Sequence, residues 1–202
     1  MINKSIKRGV KFSLNVLSRE TSVDVKDHFW SFLGAFIGIS LISLAQIQLL
    51  TRVENIFLIA SFGASSVLIY GAVESPLAQP RNFIFGPLIS AIIGVTVYKM
   101  LPNTIWLSAP LAVSLSLVAM QITKTLHPPG GATALITVIG TEKVKALGYF
   151  FVLTPVLTGT LILFVVALIF NNLTTHRRYP KSGSLADPIR RLFVRDKIKD
   201  KD

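Results

Sequence analysis

The chain contains no cysteine among its 202 residues. Disulfides, thiolate metal sites and cysteine nucleophiles are therefore excluded together. Acidic side chains are scarce, and between Phe29 and Phe170 the only ones are Glu54, Glu74 and Glu142, all at the ends of apolar segments. A core without carboxylates lacks the groups expected of cation sites and proton relays. No cleavable leader is expected either. The first 27 residues are charged throughout and hold no apolar run of about 7–15 residues, so the first hydrophobic stretch is expected to act as a retained anchor. The chain is short of charge altogether, with 15% charged against 51% hydrophobic residues. That balance does not suit a wetted surface and points to the bilayer. The length suits one domain of about six spanning segments at roughly 20 residues each.

What charge there is lies at the ends. The formal net charge is +11, and of 21 Lys and Arg, six fall in the first 27 residues and nine after residue 170. Basic ends around an apolar body predict both termini in the cytoplasm, hence an even number of crossings of the cell (inner) membrane. No aromatic–basic platform accompanies the charge, so nucleic acid is not an expected partner. Anionic lipid headgroups are the expected secondary attraction of the tails.

Three regions follow. Residues 1–28 form a basic cytoplasmic lead-in, with an interfacial helix expected around "VKFSLNVL". Residues 29–170 form a single transmembrane domain, and residues 171–202 a basic cytoplasmic tail, partly disordered by composition. Within the domain, 29–50, 82–100, 105–122 and 147–170 read as full spans. Phe29 and Trp30 stand at the mouth of the first, and Gly34 and Gly38 are spaced for close helix approach.

Two segments are interrupted. Residues 55–73 carry Ser61, Gly63, Ser65 and Ser66. The second is "TKTLHPPGGATALITVIG", residues 123–140. Pro128 and Pro129 remove backbone donors while Gly130 and Gly131 remove restraint, so a regular helix cannot pass through. Irregular backbone at membrane depth is tolerated only when buried in protein or lining a cavity. Each interruption is followed by enough helix for roughly half a bilayer, and "GASSVL" resembles "GATALI" at an offset of 68 residues. The expected fold is all-α and polytopic: two repeats of span, broken or half helix, span. The alternative is four spans plus two re-entrant hairpins.

Half-helices exposing their N-termini at one midplane site favour an anion. The small residues Gly63, Ala64, Ser65, Ser66, Gly130, Gly131, Ala132 and Thr133 leave room for a guest to reach helix-start N–H groups or hydroxyls. Arg81, Lys124 and His127 are the nearby bases. For each there is a plain structural alternative: close packing for the glycines, i−4 bonding for the hydroxyls, a loop charge for Arg81 and a fixed hydrogen bond for His127. Pro128 and Pro129 are expected to shape the half-helix entry.

With "SPLAQPRN", "GASSV" and "LHPPGGATAL" together, the chain resembles the HPP family of small integral membrane proteins over roughly residues 25–172. The family takes its name from the motif present here as His127, Pro128 and Pro129. Its members are usually described as having four transmembrane helices, and those of plastids and cyanobacteria are associated with nitrite transport. The resemblance thus implies nitrite as cargo. No nucleophile elbow, metal-ligand pair or carboxylate able to orient His127 is present, so no enzyme activity, metal or cofactor is expected. The expectation is a permease or channel for a small inorganic anion, associating with copies of itself. A non-transporting membrane anchor or regulatory subunit is the alternative.

Overall fold

The computed structural model describes residues 25–49, 60–174, 176–182 and 185–193. The expected interfacial helix near residues 10–17 and the first residues of the 55–73 segment lie outside them. The described residues are helical and contain no strand. Four helices are long and apolar enough to cross a membrane. They are α1 (Val25–Leu49), α3 (Pro80–Met100), α4 (Ile105–Ile122) and α7 (Val152–Phe170). Two shorter apolar helices, α2 (Ala60–Gly71) and α5 (Pro129–Ile139), occupy the interrupted segments. A short α6 (Glu142–Ala146) links α5 to α7, and α8 (Ala186–Phe193) follows the bundle.

The helix starts are written in the sequence. Pro80 and Pro129 open α3 and α5, where a missing N–H costs nothing. Helix α4 ends in a Schellman arrangement: the amide of Thr125 donates to the Met120 carbonyl at 2.8 Å and that of Lys124 to Gln121 at 3.1 Å. Lys124 takes the left-handed residue's place, with φ of 54°. Between α6 and α7 the turn needs the left-handed backbone of Gly148, φ 51°. In α7 the first six residues, Val152–Leu157, form a π-helical turn broken at Thr154, whose φ and ψ are −138° and 116°.

Close approaches set the helix directions. A Cβ added at Gly86 would lie 2.6 Å from the His127 Cβ, and one at Gly130 would lie 2.7 Å from the Ser90 hydroxyl. Gly94 faces Ala134 and Thr137. Helices α3 and α5 therefore run side by side in the same direction, with α4 antiparallel to both. On the other side, Gly159 of α7 backs onto the Phe62 ring, and the Asn171 side chain reaches the Ile69 carbonyl at 3.0 Å. Hence α2 runs with α7, and α1 runs against them. Gly34 and Gly38 do serve close approach, and what they admit is the Tyr70 ring: a Cβ at Gly38 would meet its hydroxyl at 2.6 Å.

The starts of α1 and α3 and the ends of α2, α4 and α7 thus share one end of the bundle. Buried Ile42, Phe62, Ile69, Tyr70, Phe151 and Leu163 fill the α1–α2–α7 side. The span starts differ from expectation by a few residues. The apolar pattern of the last one begins at Leu147, but its helix begins only after the Gly148 turn.

Candidate functional site

Helices α2 and α5 lie antiparallel against each other, α2 packed on α1 and α7 and α5 on α3 and α4, with a side-chain hydrogen bond between them. His127 is fully buried, with its Nε2 2.9 Å from the Ser65 hydroxyl on α2 and its Nδ1 3.0 Å from the Leu77 carbonyl. A carbonyl can only accept, so Nδ1 carries the proton, and in the neutral ring Nε2 accepts from Ser65. The Phe83 ring packs edge-on against the imidazole, centroids 5.3 Å apart. Both ring nitrogens are thus engaged in joining α2, the 73–79 loop and the head of α5.

The neighbouring motif clamps the same loop. Arg81 donates to the Thr123 carbonyl at 2.9 Å and Asn82 to the Leu126 carbonyl at 2.8 Å. The side chains of Arg81 and Lys124 are exposed at this end, and Lys124's backbone is a helix terminator. Gln79 donates to the carbonyls of Val73 and Ser75, both at 3.1 Å.

The remaining expected residues divide by face. Ser65, Ser66, Gly130 and Thr133 are buried, whereas Gly63, Ala64 and Ala132 are exposed on the outer face of the α2–α5 seam and Gly131 is intermediate. The Ser66 hydroxyl donates to the Phe62 carbonyl at 2.8 Å and that of Thr133 to Pro129 at 3.3 Å, the i−4 arrangement. Gly130 and Gly131 already donate their amides to the carbonyls of His127 and Pro128, at 2.8 and 3.1 Å. Pro129 has no N–H, so the head of α5 offers fewer unpaired donors than an ordinary helix start. Gly130 serves close packing against Ser90 and Met120, while a Cβ at Gly63 would meet nothing within 4 Å. Among the hydroxyls of α2 and α5, only Ser61 has no partner among the described residues, although it is 3% exposed. An open apolar groove of about 380 Å³ runs along the seam, lined by Ala64, Val67, Leu68, Pro128, Pro129 and Ala132 among others.

Sequence reasoning missed the segment after α7. Residues 171–174 and 176–181 form a strap across the shared end of the bundle. Arg177, 8% exposed, places Nε 2.5 Å from an Asp27 carboxylate oxygen and donates Nη2 to the Asp27 carbonyl at 2.6 Å and to the Ser31 hydroxyl at 2.9 Å. His176 Nε2 lies 2.9 Å from the same carboxylate. Tyr179 is fully buried and donates its hydroxyl to the Ala78 carbonyl at 2.8 Å; burial pushes its phenol well above the usual range. Asn172 bonds both the amide and the carbonyl of Tyr179, and the Lys181 amide reaches Gln79 at 2.9 Å. The expected boundary at residue 170 therefore does not end the packed body. The available signals were Asn171-Asn172 and Tyr179-Pro180 directly after a span, where side chains able to satisfy carbonyls are concentrated.

Fold and site together define a polytopic helical membrane protein with two short helices pinned together beside four long ones. Its sequence matches the family described as HPP, transmembrane region, over residues 20–180, and the chain belongs to that family. Two transmembrane proteins of Dictyostelium discoideum are similar to it, 44% and 42% identical over 160 residues. Each alignment covers 78% of this chain, but 51% and 56% of the relatives, so the chain spans about half the length of the curated relatives it matches. No solved structure matches it.

Proposed function

We propose that the chain is a permease or channel for a small inorganic anion, nitrite first. The observation that carries this reading is the antiparallel pair α2 and α5, short helices in the interrupted segments packed side by side among the full-length ones. Broken helices of this kind flank substrate paths in several transporter folds. Two further features support it. Carboxylates are missing from the interior of the four spans, apart from Asp27 at the mouth of α1, which Arg177 neutralises. Ser61 keeps a buried hydroxyl without a partner among the described residues on the first turn of α2. In this reading the guest is held by Ser61 and the α2 side of the pair rather than by the Gly130 and Gly131 amides, and His127 is a positioning residue. Between Thr123, held by Arg81, and Gly148, lying near Lys99, the chain travels the length of α3. That favours six crossings in two inverted triplets, with the basic end in the cytoplasm.

The engagement of His127, Gly130 and Gly131 by the fold itself favours one other reading, a membrane anchor or regulatory subunit that transports nothing. Flux into liposomes holding the pure protein separates the two, comparing nitrite, nitrate, formate, chloride and potassium. Nitrite entry above empty liposomes with potassium excluded is the expected result. Folded protein that passes none of these ions would leave the anchor reading.

A further inference from the structure

Glycine is a poor helix former, so a glycine kept inside a helix asks for a packing reason. Several here have one: Gly34 and Gly38 admit Tyr70, Gly86 admits His127, and Gly159 admits Phe62. Gly63 and Gly71 on α2 have none within the described residues. Neither takes the left-handed backbone, and a Cβ at either would meet nothing within 4 Å. Both are exposed, as are Ala64 and Val67 of the same helix. Ala64 and Val67 line one wall of the groove of about 380 Å³ along the α2–α5 seam, and Pro128, Pro129 and Ala132 line the other. In hydrocarbon, helices associate by van der Waals contact across small residues. The groove is such a place, and the described side chains leave it open.

A projection of matching depth stands on the neighbouring helix. Phe29, Phe32 and Phe36 of α1 are each more than half exposed, and the rings of Phe32 and Phe36 stack with centroids 5.8 Å apart. By helical period they occupy the side of α1 opposite Gly34 and Gly38, which face Tyr70. Depth is fixed by the Ser31 hydroxyl, which donates to the Tyr70 carbonyl at 2.8 Å. At about 1.5 Å per residue from that contact, Phe32 and Phe36 fall within the depth that Ala64 to Ala72 cover on α2. The larger groove between α3 and α4, about 450 Å³, does not match. It is walled mainly by long Leu, Ile and Met side chains and extends to Met100 and Leu101 at the opposite end of the bundle.

We propose that the face formed by α1, α2 and α5 is the contact between two copies of this chain, with the phenylalanine ridge of each seated in the α2–α5 groove of the other. Copies inserted in one bilayer share an orientation, so a two-fold axis relating them runs along the membrane normal and only surfaces of equal depth meet. A ridge and a groove on neighbouring helices at one depth then form two equivalent contacts. The rings supply contact area, and Gly63, Ala64 and Gly71 let them approach the α2 backbone. The inference stands apart from the transport reading, since a permease and an anchor can both pair in this way.

The absence of native cysteine makes the test clean. Two single variants of the full chain, Phe29→Cys and Ala72→Cys, carry different affinity tags and are reconstituted together, dilute in phosphatidylcholine vesicles, before oxidation. Phe29→Cys mixed with Ile122→Cys is the comparison, because Ile122 is exposed at the same end of the bundle on α4. The expected result is a disulfide between positions 29 and 72 of different copies, several-fold above the comparison and above either variant alone. Adding Gly71→Leu, which fills the groove, should lower that yield to the level of the comparison. Adding Phe32→Ala with Phe36→Ala, which removes the ridge, should do the same. Equal yields from the two mixtures would mean random collision, with lipid chains in the groove, and would overturn the proposal. So would a product between two copies of position 29 in excess of the mixed one, since the ridges would then meet each other. A mixed product indifferent to both sets of added changes would also overturn it, because the contact would owe nothing to ridge or groove.

Discussion

The joint between Ser65 and His127 can be tested by a double-mutant cycle. Ser65→Ala removes the donor to Nε2 and leaves a buried acceptor unmatched, at a cost of about 1–3 kcal/mol. His127→Ala removes the same bond, orphans the Leu77 carbonyl 3.0 Å away and leaves a cavity against Phe83. Its cost is larger, about 2–5 kcal/mol. The double variant should cost less than the sum, because the two lose one shared bond. Hydrogen bonds between helices in membranes have coupling energies of roughly 0.5–2 kcal/mol, and the Ser65–His127 coupling should fall in that range. Reversible unfolding in mixed micelles, followed by the loss of helix signal, measures all four corners of the cycle. Additivity within about 0.3 kcal/mol would mean that the bond is not formed in the folded protein. The claim that His127 positions α2 against α5 would then be lost, and with it the reason for a buried imidazole here.

Four other outcomes are expected. Gly159→Ala drives a methyl into the Phe62 ring and should cost about 1–3 kcal/mol; adding Phe62→Leu should recover much of it, and a neutral single change in the unfolding assay would contradict the packing. Gly63→Ala meets open space on a helix and should stabilise by about 0.5–1 kcal/mol; loss of nitrite flux from that more stable variant would locate the guest at Gly63. Lys124→Gly relieves a left-handed residue and should stabilise by about 1 kcal/mol, while unchanged flux in the same variant would remove its charge from the path. Arg177→Gln leaves the Asp27 carboxylate short of a partner in a half-dry site and should cost about 1–3 kcal/mol. It should also speed protease cleavage after residue 170, and cleavage at the parent rate would argue against the strap.

The legible part of the fold was the part governed by length and apolarity. Residues 105–122 were expected as a span and form α4 with those bounds, because a loop of Pro102 and Asn103 and a polar Thr123 bracket an uninterrupted run. The break at His127–Gly131 was legible for a similar reason, since two prolines and two glycines allow little else. What the break does was less legible. Whether the Gly130 amide faces a guest or the His127 carbonyl is decided by one turn of backbone, and composition does not report it. The strap was hidden for a different reason. Asn171, Arg177 and Tyr179 are polar residues that read as solvated tail, and they are buried where carbonyls of Ile69, Tyr70 and Ala78, about a hundred residues away, face them. Long-range satisfaction of backbone groups leaves no periodic trace.

The two stretches that mark the family turn out to be halves of one joint. Leu77 accepts from His127, Arg81 holds Thr123 and Asn82 holds Leu126, so each main contact of "PLAQPRN" is made with "TKTLH". Tyr179 and Lys181 then close on the same loop through Ala78 and Gln79. Backbone that leaves helical geometry inside a membrane must have its carbonyls satisfied by protein, and here side chains from α3, the head of α5 and the strap share that task. Such a joint explains the motif without naming a cargo. Any selectivity belongs to groups the joint leaves free, of which the Ser61 hydroxyl is the clearest among the described residues of α2 and α5. Ser61→Ala should therefore keep or raise stability, since it removes an unmatched hydroxyl. If α2 lines an anion path, the same variant should lose discrimination between nitrite and chloride. Unchanged selectivity in a stable Ser61→Ala protein would move the path away from α2.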